Sequence, residues 1–504
     1  MAANRLCDEQ WHCWLPITEM TGMRGRSLAI AVRLSALQFL RCSRNELMLL
    51  VCLSDKLYSF MFAVKAVART PSPRKLEGNM PEGFPRMVTI QQAFPSGAAL
   101  DIQANLHAQL AEKLGSRVKP GARIGVAVGS RGITNLLEIV LAAIDWLKER
   151  GTRPFIIPAM GSHGGATAEG QVEVLSSYGI SERAVGVPIK ASLDVQVVGR
   201  TDDGVDVYFS SEAFQADGIL VINRVKPHTD FSGNIGSGVL KMIAIGLGKR
   251  IGAMTCHAAA VWQGHEQVIR KVASVSLRQT PILGAIAILE NQSHVTCKLT
   301  VVKKEEIFAQ EEELFKEAKG LMPRLPFDEI DFLIVDRMGK NISGAGMDPN
   351  IIGRSIHGYS SLRSANQSMP TPRVWRIFVR DLTPEAHGNA TGVGMADLTT
   401  TRLVRATNTD ATFVNALTSM TPLSAKIPIH FETDLEAIRS GLASLAIPDT
   451  RAARVVRIAD TLSLEVLQAA AVYSEFINQH HDLKQLSAPE EMKFDSSGNL
   501  LPFQ

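Results

Sequence analysis

The stretch from residue 122 to residue 160 constrains the architecture more than any other. "ARIGVAV" is a short unbroken apolar run, "LLEIVLAAIDWLKER" is a longer one, and "PFIIPAM" is a second short one. A run of six or seven residues without polar alternation suits a strand buried on both faces, and the segment between is long enough for a helix. Strand, helix, strand in this order predicts a crossover between parallel neighbours, hence a parallel sheet with helices packed on it. "GILVINRV" and "PILGAIAILE" extend the series, with helical material between them around residues 240 to 272. "VVKKEEIFAQEEELFKEAKGLMPRLP" then reads as a charged amphipathic helix closed by prolines. A second series opens with "EIDFLIVDRMG" and continues through "VWRIFVRDL", a helical stretch near residue 393, "AKIPIHF" and a helix at "TDLEAIRSGLASL". The expected fold is therefore α/β: two α/β domains with mostly parallel sheets and an active-site cleft between them. The expected boundaries are 80–325 for the first domain and 326–484 for the second, with a polar tail at 485–504.

Residues 1–79 read differently, as an atypical and poorly ordered N-terminal extension ending in the linker-like "ARTPSPRKLEGN". Its most apolar part, "NELMLLVCLSDKLYSFMFAVKAVA", is interrupted by Asp55 and Lys56, which leaves no uncharged run of about 18 residues for a membrane span. The Arg-rich, acid-poor start also allows a transit peptide, although a non-conforming extension is the preferred reading. Over all 504 residues the formal net charge is only +3, with the signs interspersed, which argues against a nucleic-acid or membrane-surface partner. Four of the six cysteines precede residue 53, and Cys256 and Cys297 stand alone. That pattern is neither a disulfide framework nor a paired metal site, so reduced thiols and a cytoplasmic location are expected.

Ligands of α/β sheets collect at the carboxyl ends of strands, and four loops there carry unusual residues. "VAVGSRGITN" places Ser130, Arg131 and Thr134 after one strand, and "IIPAMGSHGGATAEG" places His163 among glycines after the next. "INRVKPHTDFSGNIGSG" brings Arg224, Lys226 and His228, and "IVDRMGKNISGAGMDPN" brings Asp336, Lys340 and Asn341. For any one histidine, a solvent-facing turn is as good a reading as a site; several such loops after successive strands favour a shared site. Lys241 lies in the otherwise apolar "VLKMIAIGL". It is either a lysine snorkelling at a helix rim or one held in an apolar pocket, where desolvation favours covalent chemistry. "GNIGSGVLK" lacks the order of a phosphate-binding loop, no clean G-x-G-x-x-G follows a strand, and no H-E-x-x-H occurs. On one continuous helix His257 and His265 would stand about 80° and two turns apart, too far to share a metal easily.

Taken in order, "GSRGITN", "GSHGG", "KPHTDFSGNIGSGVLK" and the "CH" at 256–257 resemble the N-terminal domain of the nickel-pincer lactate racemase family. The resemblance spans about residues 85 to 480 and is best between 125 and 260. It implies a nickel-pincer nucleotide cofactor, of the nickel pyridinium-3,5-bisthiocarboxylic acid mononucleotide type, tethered to Lys241 and ligated by His257. It further implies His163 and His228 as the acid/base pair, with Ser130, Arg131, Gly236 and Gly238 around the cofactor. The substrate implied is a small 2-hydroxy acid, and cofactor-biosynthesis enzymes are implied as partners; a homo-oligomer is open. Where the family carries a Gln-x-x-Lys pair, "MDPNIIGRS" offers Arg354 with Asn350, so Lys340, Asn341 and Arg354 are the expected substrate contacts and the acid is lactate-like or larger. "EAHGNATGVGMADLTT" adds His387, Asn389 and Asp397 in a Gly-rich setting. Two other readings of the same loops stand beside this one: a hydrolase or lyase using His163 and His228 with a phosphorylated ligand or a divalent metal, and a non-catalytic sensor or carrier that binds an anionic metabolite or the nickel nucleotide without turnover.

Overall fold

The unbroken apolar runs of the first series pair into a five-stranded sheet with the spatial order Arg153–Pro158, Arg123–Val128, Gly218–Arg224, Ile282–Glu290, Thr296–Lys303. The first four strands are parallel and the last is antiparallel. Both faces are covered: Ile219 and Val221 belong to one apolar core cluster, while Leu220 and Ile222 belong to another. Alternate residues of one strand thus enter different layers, which is why these strands lack polar alternation. Helices Ile102–Leu114 and Leu136–Glu149 pack on one face. Helices Lys249–Gln263, His265–Gln279 and Ile307–Gly320 pack on the other.

This computed structural model describes residues 83–502 apart from 96–99, 130–131, 230 and 357–371, together with the strands Leu37–Arg41, Leu47–Val51 and Phe62–Val64. The chain divides into units Met1–Leu76 and Glu77–Gln504. In the first, those three strands form an antiparallel sheet, and the rest of the expected extension lies outside the described residues.

In the second unit, the later residues build an eight-stranded sheet. Its order is Ile429–Phe431, Leu398–Thr400, Arg373–Leu382, Glu329–Met338, Val455–Ile458, Val466–Ala470, Met87–Gln92, Leu483–Gln485. The first five are parallel and the last three pair antiparallel. Fold class follows the sequence reading, α/β with mostly parallel sheets. Met87–Gln92, sequentially part of the first series, is hydrogen-bonded into this second sheet. A six-residue strand carries no local mark of its partner, so its sheet is decided by tertiary pairing. The expected polar tail also packs: Glu490 pairs with Met87 and Leu500 is buried. Near residue 393 a single turn, Val393–Met395, precedes a strand and the helix Thr401–Ala406. Among the described residues no helix is long and apolar enough to cross a membrane.

In the five-stranded sheet the first strand in sequence lies between the second and the third. Connections therefore leave in opposite directions at the carboxyl ends of Arg123–Val128 and Gly218–Arg224. Such a reversal opens a crevice above the sheet where α/β proteins hold ligands.

Candidate functional site

The loop that leaves Gly218–Arg224 is built as a rigid neck. Lys226 and Ser237 exchange backbone hydrogen bonds of 2.8 and 2.9 Å, so the chain between them returns on itself. A Cβ on Gly236 would run into the Lys226 carbonyl and stand 2.6 Å from the Phe315 ring. The side chain of Asn223 donates to the Gly238 carbonyl at 2.7 Å. Helix Ile307–Gly320 backs the loop: Lys319 donates to the Gly233 carbonyl at 2.9 Å, and Glu311 lies against Gly238. Gly236 and Gly238, expected at the cofactor, are thus required first by packing against backbone and carboxylate. Arg224 pairs with Glu290 of the neighbouring strand, and Glu290 also accepts the Thr134 N–H at 2.7 Å, so these groups tie strand ends together.

Lys241 closes the single helical turn Val239–Lys241, which runs into the π-helical segment Met242–Gly246. Wide turns of this kind recur at functional sites because the extra residue re-aims a side chain. Half-buried Lys241 brings its Nζ to 2.5 Å from Nε2 of His228. At that distance one of the two nitrogens must offer a lone pair to the other's N–H. The His228 ring stacks on Phe231 at 4.6 Å between centroids, and Phe231 stacks on His265 at 5.2 Å. His265 in turn meets His257 edge-on at 5.8 Å. The sequence geometry held His257 and His265 apart on one helix; the helix breaks at Gly264, with φ 85° and ψ 145°, and the second helix turns His265 back towards His257.

His163 is exposed on the loop after Arg153–Pro158. That loop is moored to the segment beyond Lys241, since the Gly161 N–H donates to the Gly246 carbonyl at 3.2 Å. Gln171 donates to the Gly161 carbonyl at 3.0 Å and accepts from Lys249 Nζ at 3.3 Å. Lys249, fully buried, also donates to the Pro158 carbonyl at 2.6 Å. Its burial lowers the ammonium pKa to about 8, against a smaller opposing pull from Glu212. Ser130 and Arg131 lie outside the described residues.

The expected substrate contacts from the later sheet are engaged locally. Arg354, with its side chain 9% exposed, is paired with Asp397 at 3.2 Å and donates to the carbonyls of Val374 and Trp375. It braces the strand Arg373–Leu382 through these carbonyls. Lys340 donates to the Gly344 carbonyl at 2.6 Å, and Asn341 accepts from the Thr383 hydroxyl at 2.6 Å. Asp336 holds Arg380 and Arg457 at 2.9 and 2.8 Å. The residue that reaches across is Asn350, whose side-chain amide donates to the His228 carbonyl at 3.2 Å. His387 turns the chain with φ 47°, and Asn389 bonds within its own loop to Thr391 at 2.7 Å. Among the described residues no cluster of three or more His, Cys, Asp or Glu side chains is arranged to hold a metal by itself.

The geometry brings together Lys241, His228 and, through three successive ring contacts, His257, all inside one segment that matches a known family model. Residues 97–269 match the family model of the lactate racemase N-terminal domain. The lactate-racemase-like segment thus includes every site residue expected from the first series and ends before helix Ile307–Gly320. Among solved structures, the lactate racemase apoprotein from Thermoanaerobacterium thermosaccharolyticum aligns over 76% of this chain and 94% of that one, at 11% identity and a TM-score of 0.44. No curated protein sequence matches the chain.

Sequence reasoning passed over Lys249 and Glu311. Lys249 left one signal, a cation inside the apolar "IAIGLGKRIGAM"; Glu311 is one of three consecutive glutamates and left none.

Proposed function

We propose that this chain is a racemase or epimerase of a lactate-like or larger 2-hydroxy acid, working with a lysine-tethered nickel-pincer nucleotide. The observation that carries the reading is the contact of Lys241 with His228 inside the lactate-racemase-like segment. A lysine amine on an otherwise apolar turn fits an acyl-type tether, and an imidazole from His257 is a donor that nickel accepts. The edge of His265 against His257 fits the need to fix the orientation of a ligating ring.

When bound, such a nucleotide supplies a reversible hydride acceptor, which spares the substrate a carbanion beside its carboxylate. The protein's part is proton handling and orientation. His228 and His163 take and return the substrate hydroxyl proton, one from each face, because imidazole is available both as base and as acid near neutrality. Arg131 offers two parallel N–H donors to an anionic group of cofactor or substrate. Asn350 holds the His228 backbone from the second half of the unit, so the fourth loop contributes to the base's orientation.

The test is intact mass with bound nickel, on protein produced alongside cofactor-making enzymes, comparing the native chain with Lys241→Ala. The expected result is a nickel-containing adduct on the native chain that is lost in the variant. No adduct and no nickel, with a competent racemase loaded in parallel, would refute the reading and favour a protein that binds an anionic metabolite with the same loops.

A further inference from the structure

The turn that presents Lys241 is held from below by a carboxyl group that the proton-handling scheme does not use. Glu311 lies in the middle of helix Ile307–Gly320, 2% exposed, in a setting lined by Val239, Ala287, Val302, Ile307 and Leu314. Its Oε2 accepts the Leu240 N–H at 2.7 Å, and the Val239 N–H also bonds to the carboxyl group. Those two N–H groups open the helical turn Val239–Lys241 and have no partner within so short a helix, so the carboxyl group acts as their cap. Gly238 is shaped to it, because a Cβ there would overlap the carboxyl oxygens. The other oxygen, Oε1, is buried without a hydrogen-bond partner.

A buried carboxylate with one bare oxygen is costly, whereas a protonated carboxyl can cap through one oxygen at far lower cost. Burial accordingly pushes the Glu311 carboxyl up to about 7, against the opposing pull of its backbone bonds and of Arg270. Arg270 itself is held by Glu266 and Glu312 at 2.8 and 2.6 Å, so Glu311 is not its direct partner.

We infer that Glu311 is a positioning residue for Lys241: by capping Val239 and Leu240 it fixes the turn from which the lysine reaches His228. The role rests on the site read above only in giving Lys241 a task; the positioning itself is a property of the chain without any cofactor. It also lies beyond the matched segment, since helix Ile307–Gly320 follows residue 269.

The experiment uses the full chain free of cofactor, and follows acylation of individual lysines by an amine-reactive ester with peptide mass spectrometry. Lys316 is the internal reference, being on the same helix as Glu311 with its side chain 69% exposed. In Glu311→Ala, labelling of Lys241 relative to Lys316 should rise about fivefold, the factor given by a lost cap of about 1 kcal/mol at 1.4 kcal/mol per tenfold. Glu311→Gln, which keeps an acceptor oxygen and the shape of a protonated carboxyl, should stay within about twofold of the native ratio. Hydrogen exchange at residues 239–241 should accelerate in the alanine variant and not in the glutamine variant. An unchanged labelling ratio in Glu311→Ala, or a glutamine variant that behaves as the alanine one, would overturn the inference. Neither readout depends on nickel, so a chain that fails to load cofactor would count against the function while leaving this test intact.

Discussion

At the scale of single residues, Lys249 is the most informative side chain outside the expected site. It starts its helix with φ 54°, in the left-handed region that a residue with a Cβ rarely occupies, and it is fully buried. Such a conformation costs on the order of 1 kcal/mol and persists only where the surroundings over-determine it. Here the ammonium does so, by joining the Pro158 carbonyl, Gln171 and, through Gln171, the loop that carries His163. Because its folded pKa lies near 8, below the ordinary 10.5, the folded chain binds fewer protons than the unfolded chain between those values. Stability therefore rises with pH across that window, by up to about 3 kcal/mol for the shift of two to three units. Lys249→Met keeps the volume and removes the titration. Urea midpoints at pH 7.5 and 10 should show the native chain gaining on the variant, and parallel curves would mean that the folded lysine keeps its ordinary pKa and stays charged at both. A sequence can mark a cation in an apolar run, as it does at Lys241 and at Lys249 beside Arg250. It cannot say which of the two faces a histidine and which is locked onto a backbone carbonyl and a glutamine, because that depends on loops distant in sequence.

Elements decide where those side chains go, and glycines decide several of the elements. Helices 249–263 and 265–279 would be one rod but for Gly264, whose φ of 85° and ψ of 145° lie in a region nearly closed to other residues. Nothing lies within 4 Å of where a Cβ would stand, so Gly264→Ala isolates backbone strain from crowding. It should destabilise the chain by roughly 1–3 kcal/mol, read as a lower urea midpoint with unchanged m, and should separate the His257 and His265 rings. A stability within error of native would show that the break is held elsewhere. This break explains one limit of the sequence reading. The strands at 123–128, 153–158 and 218–224 were legible because an unbroken apolar run has one economical use, a doubly buried parallel strand. The histidine geometry was not, because periodicity assumes a continuous helix and one glycine in left-handed space cancels the assumption. Likewise the family resemblance alone made Arg354 an expected substrate contact, and only the fold shows its pairing with Asp397 and its bonds to carbonyls of the strand Arg373–Leu382.

At the scale of the second unit, the parts least legible in the sequence are the ones that close it. The short strand Met87–Gln92 carries no mark of its sheet and the segment after residue 485 reads as a polar tail, yet both are drawn in by partners distant in sequence. What draws in the chain end is buried charge. Arg380, Arg457 and Asp434 are 8, 4 and 0% exposed; Arg380 pairs with Asp434 and Arg457 with Asp336, and these pairings leave donors and acceptors that the backbone of the chain end meets. Leu500 supplies both kinds, its N–H donating to Asp434 at 2.9 Å and its carbonyl accepting from Arg380 at 2.7 Å. The Leu501 carbonyl accepts from Arg457 at 2.8 Å, and Asn499 accepts from Arg402 at 2.9 Å. A polar run at a chain end thus reads as solvated only while the acceptors it will meet are unknown. Ending the chain at Gln485 would strip partners from four charged groups, of which the fully buried ones each lose roughly 1–3 kcal/mol. The truncated chain should therefore unfold at a clearly lower urea concentration, with the loss exceeding that of Arg402→Lys alone, since Arg402 is the most exposed of the four. A midpoint equal to that of the full chain would mean that water satisfies the arginines as well as the backbone does. In that case the segment covers the sheet without stabilising it, and the eight-stranded sheet would owe its closure to the pairing of Met87–Gln92 with Val466–Ala470 alone.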